Sequence, residues 1–133
     1  MAINFDKALG IQEQTLELRA KRAEIIANNL ANADTPGFKA KSLDFDKALS
    51  NALSGNGFNL RTTHEKHYRN NSDGLSSGDV KYQIPTQPDT GDGNTVDAQK
   101  EMAAYGRNAL EYQTTLQFLS NKFKGIRKAL KGE

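Results

Sequence analysis

Residues 27–40 read Ala27-Asn28-Asn29-Leu30-Ala31-Asn32-Ala33-Asp34-Thr35-Pro36-Gly37-Phe38-Lys39-Ala40, and the rest of the chain is organised around them. An apolar-periodic helix runs into this stretch and stops inside it. Asn28, Asn29 and Asn32 crowd its last turns, where short amides compete for backbone hydrogen bonds and so suit a helix end. Pro36 cannot continue a helix and drives Thr35 towards an extended conformation, while Gly37 takes a positive φ at little cost. Phe38 follows as an apolar clasp, with Lys39 and Lys41 in water. The spacing predicts a long helix, a sharp exit and a chain sent off in a fixed direction. On pattern alone, the same residues fit any helix that ends in Asn and Pro-Gly.

Upstream, residues 3–33 read as one amphipathic helix. Phe5, Leu9, Leu16, Ala23, Ile26 and Leu30 keep a 4-3 spacing, interrupted by Gln12 and Arg19. Ile11, Leu18 and Ile25 form a second row at sevenfold spacing, about 200° round the helix from the first. One partner helix cannot bury both rows, so the helix is either central in a bundle or packed among several chains, and in so short a protein the second is expected. Downstream, residues 96–131 read as a longer helix. Ala98, Met102, Tyr105, Ala109, Tyr112, Leu116, Leu119, Phe123, Ile126 and Leu130 keep the 4-3 spacing without a break, which predicts a coiled-coil seam with a left-handed supercoil. Leu110 and Phe118 lie off that seam and offer further contact surface. Gly106 and Gly125 fit either close helix approach or simple tolerance.

Residues 50–95 are rich in Gly, Asn, Ser, Asp and Thr, with turn chemistry at Gly55-Asn-Gly57, Asn70-Asn-Ser-Asp-Gly74 and Asp89-Thr-Gly-Asp-Gly93. Phe58-Asn-Leu60 and Val80-Lys-Tyr-Gln-Ile84 are short extended stretches that could pair as a hairpin. The expected fold is therefore mainly α, with long N- and C-terminal helices as a coiled-coil-like pair and an irregular or small-β middle. Residues 1–33, 34–95 and 96–133 are its three parts, together one domain.

Composition narrows the chemistry. The chain has 133 residues, of which 36% are apolar, below the about 45–50% usual for a globular domain. A large private core is not expected. With no cysteine there is no disulfide or thiolate metal site. No apolar run approaches the ~20 residues of a membrane span, and the N-terminus lacks the apolar region of a secretory signal. A net charge of +2 is too small to imply nucleic acid as a partner.

Candidate sites read mostly as structural. His64 and His67 flank Glu65, but Lys66 and Arg69 repel a metal and no third histidine exists. Asp89, Asp92, Asn94, Asp97 and Glu101 fail the EF-hand spacing, since Asp97 stands where Gly is needed. Helix entry is the better reading, with Asn94 or Thr95 as cap and Asp97 at the positive end of the helix. No nucleophile elbow, P-loop or dinucleotide fingerprint is present. Asn70-Asn-Ser72 is a formal sequon without a secretory context. Lys122, Lys124, Arg127, Lys128 and Lys131 suit the negative end of a helix, an acidic membrane surface or nucleic acid being the other reading. No cofactor, metal or small-molecule substrate is expected.

The joined motif Ala27-Asn28-Asn29-Leu30-Ala31-Asn32, then Thr35-Pro36-Gly37-Phe38-Lys39, resembles the N-terminal signature of the bacterial flagellar rod and hook proteins. Leu43-Asp44-Phe45, Asp92-Gly-Asn-Thr-Val-Asp97, and Asn108, Leu110, Tyr112 and Gln113 extend the resemblance towards the proximal rod. It implies a non-enzymatic structural subunit, exported through the flagellar type III apparatus without a cleaved signal. The subunit would assemble helically in the periplasmic part of the basal body, for motility. Its expected partners are copies of itself, other rod proteins, and the membrane-ring and rod-adaptor proteins at the base. The expected assembly residues are Leu9, Ile11, Leu16, Leu18, Ile25, Leu110, Tyr112, Leu116, Phe118, Leu119 and Phe123. The rows Ile11/Leu18/Ile25 and Leu110/Phe118 are expected to stay exposed in the lone subunit.

Phe5-Asp-Lys-Ala-Leu9 recurs as Phe45-Asp-Lys-Ala-Leu49, either by coincidence of two helix starts or, by the same resemblance, as a docking element for export. Thr63 and His67 match a further element of that family. A free-standing coiled-coil adaptor or basic nucleic-acid binder, and a small hydrolase using His64 or His67, are the competing classes.

Overall fold

The computed structural model describes residues 9–54, 79–88 and 91–132. Its elements, in order, are α1 (Gln12–Ala31), β1 (Lys41–Leu43), α2 (Phe45–Leu53), β2 (Val80–Tyr82) and α3 (Ala98–Lys131).

Helix α1 holds no Gly or Pro and is rich in Ala, Leu, Glu, Arg and Lys, all good helix formers. It does not run back unbroken to residue 3. Gly10 takes φ 60°, which a right-handed helix cannot contain, and the helix starts beyond it. Helix α3 starts at Asp97, whose Oδ1 accepts from the Lys100 amide at 3.1 Å. Its 34 residues make a rod on the order of 50 Å long. Lys128 and Lys131 sit in its last turn, where the helix dipole favours cations.

The two long helices pack side by side and antiparallel. Asn29 near the end of α1 meets Glu101 in the first turn of α3. Asn108 Nδ2 donates to the Arg19 carbonyl at 2.9 Å, and Arg19 pairs with Glu111. Lys122 Nζ reaches the Leu9 carbonyl at 3.3 Å.

β1 and β2 pair antiparallel in the register Lys41↔Tyr82, Ser42↔Lys81, Leu43↔Val80. The extended stretch at Val80 therefore takes its partner from residues just after the exit turn. Its expected partner, Phe58–Leu60, lies outside the described residues, as do Phe5, Gly55–Gly57, His64, His67, residues 70–74 and Asp89. Helix α2 is capped by Asp44 and packs beside α1.

Together β1, α2 and β2 build the core. Leu18, Leu43 and Ala48 are buried, with Ile25, Phe45, Leu49 and Val80 packed against them. This corrects the expectation that the row Ile11/Leu18/Ile25 stays exposed. Leu18 is only 3% exposed and Ile25 is half-buried, and Ile11 alone in the row is exposed. The second apolar row of α1 meets the chain's own middle segment, because the Leu43 and Phe45-to-Leu49 stretch supplies a matching apolar face.

Candidate assembly site

The exit turn is held by polar side chains from distant parts of the chain. Asn29 is almost wholly buried. Its Nδ2 donates to the Lys41 carbonyl at 2.7 Å and to Glu101 Oε2 at 3.1 Å, and its Oδ1 accepts from the Lys41 amide at 3.0 Å. One side chain thus ties the end of α1 to β1 and to α3. Gln83 Nε2 donates to Glu101 Oε1 at 2.7 Å, which adds β2's continuation to the same clasp.

Asn32 ends α1 with φ −107° and ψ 17°, and its Nδ2 donates to the Asn28 carbonyl. Gly37 follows at φ 74°, as the turn requires, and its amide donates to the Asp92 carbonyl at 2.8 Å. Asn94 does not cap α3. Its Nδ2 lies 2.7–2.9 Å from the carbonyls of Asn32, Ala33 and Thr35, to which it donates, and so braces the exit turn just beyond α1. Thr95 Oγ1 accepts from the Ala40 amide, and its own amide donates to the Phe38 carbonyl. Lys39 Nζ donates to the Gly93 carbonyl at 2.6 Å. Residues 92–95 are therefore the other half of the motif at 27–40.

Asp97 is the cap of α3, and hydrogen bonds from the Lys100 amide and then Gln87 hold its carboxyl below the usual carboxylate range. The Lys81 side chain, followed by the Lys47 amide, does the same for Asp44 at the start of α2. No group of His, Cys, Asp and Glu fit to hold a metal occurs among the described residues.

The seam between α1 and α3 differs from the expected one. The buried residues of α3 are Glu101, Asn108 and Thr115, seven apart, and Thr15, Ile26 and Asn29 are buried on α1. Buried groups with hydrogen-bonding capacity need partners: Thr15 and Thr115 donate to the Ile11 and Glu111 carbonyls of their own helices, while across the seam Asn29 donates to Glu101 and Asn108 to the Arg19 carbonyl. Gln14 Oε1 and Asn108 Oδ1 are buried without a partner among the described residues. Tyr112, Leu119 and Ile126 border the seam half-buried, as do Leu9, Leu16 and Leu30.

The other half of the 4-3 row turns outward. Met102, Tyr105, Leu116, Phe123 and Leu130 are exposed, about a quarter-turn from the α1-facing side. Leu116, Leu119 and Phe123 lie together on this open face beside Arg127. Leu110 and Phe118, expected to be exposed, are 66% and 56% so. A Cβ at Gly106 or Gly125 meets nothing within 4 Å, so neither glycine permits a close helix approach within the described chain. In the second copy of the repeat, Phe45 lies under the Arg19 guanidinium, 4.7 Å from its ring centre, and Ala48 is fully buried. The sequence pattern placed Asn94 as a helix cap, Glu101 in a rejected calcium loop and Asn108 in the family motif, and passed over Thr115. Their signal was the sevenfold spacing of the last three, which an apolar pattern search passes over.

A family model described as flagella basal body rod protein matches residues 9–39. The flagellar basal body rod protein FlgB of Aeromonas hydrophila is 55% identical over 133 residues, covering 100% of this chain and 99% of the relative. FlgB of Yersinia enterocolitica is 38% identical over 135 residues, with 98% of each chain covered. FlgB of Salmonella typhimurium is 37% identical over 137 residues, with 99% of each covered. With full-length similarity at this level, the chain belongs to the FlgB family of flagellar basal body rod proteins, and is a structural subunit of the rod rather than an enzyme.

Proposed function

We propose that this subunit builds the proximal part of the rod by helical self-assembly, and that the outward row of α3 is its main adhesive surface. The carrying observation is that Met102, Tyr105, Leu116, Phe123 and Leu130 stay exposed on one face of a helix some 50 Å long. Contiguous exposed apolar surface of this kind marks an interaction site. Each Leu or Phe fully buried by a neighbour contributes roughly 1.5–3 kcal/mol. Tyr112 and Leu119 add contact area along the seam edge of this row, and Leu110 and Phe118 offer separate contacts further round the helix. Leu9, Leu16 and Ile11 do the same at the start of α1, whereas Leu18 and Ile25 act by holding the subunit's own core.

The parts 1–33, 34–95 and 96–133 work as one unit, with the long helices as a coiled-coil-like pair. The motif Asn28-Asn29-Leu30-Ala31-Asn32 with Thr35-Pro36-Gly37-Phe38-Lys39 sets the direction of the chain between them. Other rod proteins, and ring and adaptor proteins at the base, are the remaining partners. The place of action is the periplasmic section of the basal body, reached through the flagellar type III apparatus. Among the described residues no helix is long and apolar enough to cross a membrane.

The test is complementation of a strain of this family that lacks its own copy. Leu116→Ser/Phe123→Ser should be secreted normally yet fail to form rods or support swimming. Normal rods from that variant would overturn the assignment of the surface.

A further inference from the structure

The two outer faces of the helix pair carry opposite charge. On α1, Glu13, Glu17 and Glu24 lie about half a turn from the α3-facing residues Thr15 and Ile26, and all three are exposed. Ala20 fills the gap between Glu17 and Glu24, and Ala27 continues the same face beyond Glu24. Lys21 flanks this stripe and pairs with Glu24 at 3.8 Å. On α3, Lys124, Lys128 and Lys131 lie about half a turn from Asn108 and Thr115, and all are exposed. Residues 112–131 hold five Lys or Arg and no Asp or Glu. Each stripe points away from the shared seam, so the pair is acidic on one side and basic on the other.

We infer that the lateral contact between copies joins the acidic back of α1 in one subunit to the basic back of α3 in the next. This rests on the self-assembly reading above and specifies its geometry. A two-fold contact would lay acid on acid or base on base, whereas the observed charges match only heterologous, front-to-back joining. The match is also staggered. Within one subunit Leu9 stands by Lys122 and Arg19 by Asn108 and Glu111, so Glu17 is level with the turn just beyond Glu111. Bringing it level with Lys128 of a neighbour takes a slide of some fifteen residues, on the order of 20 Å. A heterologous contact with such an offset climbs as an open helix instead of closing as a flat ring. Exposed ion pairs contribute little affinity each, so the apolar row supplies adhesion and the charged stripes set direction and register.

Charge exchange tests this. Glu13→Lys/Glu17→Lys/Glu24→Lys and Lys124→Glu/Lys128→Glu/Lys131→Glu are each expected to abolish swimming while the subunit is still secreted. The chain carrying all six exchanges restores matching faces and is expected to recover swimming and rods. Two results would overturn the inference. One is normal swimming of either triple variant. The other is a six-fold variant that is secreted and helical by circular dichroism yet as defective as the triples, which means that the two faces meet different proteins. If a triple variant is not secreted, the Gln versions of the same positions replace it, and their unimpaired swimming at raised salt would also overturn it. None of these outcomes depends on Leu116 and Phe123, so failure here leaves the apolar-surface reading to its own test.

Discussion

Gly37 shows how one residue sets the path of the chain. At φ 74° it has open space around its missing Cβ, so a side chain there meets backbone strain and no clash. Gly37→Ala is expected to cost about 1–2 kcal/mol, with Gly37→Val worse because it is β-branched. The urea midpoint of the purified subunit measures this, alongside swimming in the complemented strain. Asn94→Ala removes the donor shared by three carbonyls at the end of α1 and is expected to cost about 1–3 kcal/mol. Asp97 gives a pH prediction. Its folded pKa lies below the ordinary 3.8, so its contribution is complete above that value and is lost as pH falls through the folded pKa. Asp97→Asn keeps a competent cap without the charge. Its helicity should therefore lack this component of the acid transition, and an acid limb identical to that of the parent chain would refute the assignment.

At the scale of elements, the contrast lies between the two faces of α1. The face towards β1 and α2 is apolar and centred on Leu18. The face towards α3 is largely polar, held by Asn29–Glu101, Asn108–Arg19 and Arg19–Glu111. Leu18→Ala should therefore destabilise the subunit itself, by about 2–5 kcal/mol, and lower rod assembly only through that loss. Chemical denaturation compared with secretion separates the two effects. The polar face orients α3 more than it glues it, since the pairs Asn29–Glu101, Asn108–Arg19 and Arg19–Glu111 form together in one register only.

For the whole molecule, the buried apolar residues among those described are Leu18, Ile26, Ala40, Leu43 and Ala48. Fixing the backbone costs roughly 1–2 kcal/mol per residue, and the buried apolar set among the described residues is small against that cost. The dilute subunit is expected to be marginal, below the ~5 kcal/mol at which ordinary domains begin. Assembly supplies the rest by covering the α3 row. Guanidinium unfolding at low concentration checks this, and a cooperative transition worth more than that would contradict it.

The sequence by itself determined the two long helices, the exit at Asn32 to Gly37 and the structural class of the subunit. Those are local matters. Helix propensity, Pro-Gly chemistry and sevenfold spacing act within a few residues of each other, and the joined motif is long enough to mark a family. Tertiary structure alone decided which faces meet. Leu18 was read as a surface residue because its cover, Leu43 and Ala48, comes from a segment whose placement no periodicity reports. Asn94 was read as a cap for the nearby α3, yet it braces the exit turn after α1, some sixty positions away. The place of Glu101, Asn108 and Thr115 in the seam went unread because a polar seam has no hydrophobic signature. Hydrogen bonding between distant side chains is selected by three-dimensional proximity, which linear spacing does not encode.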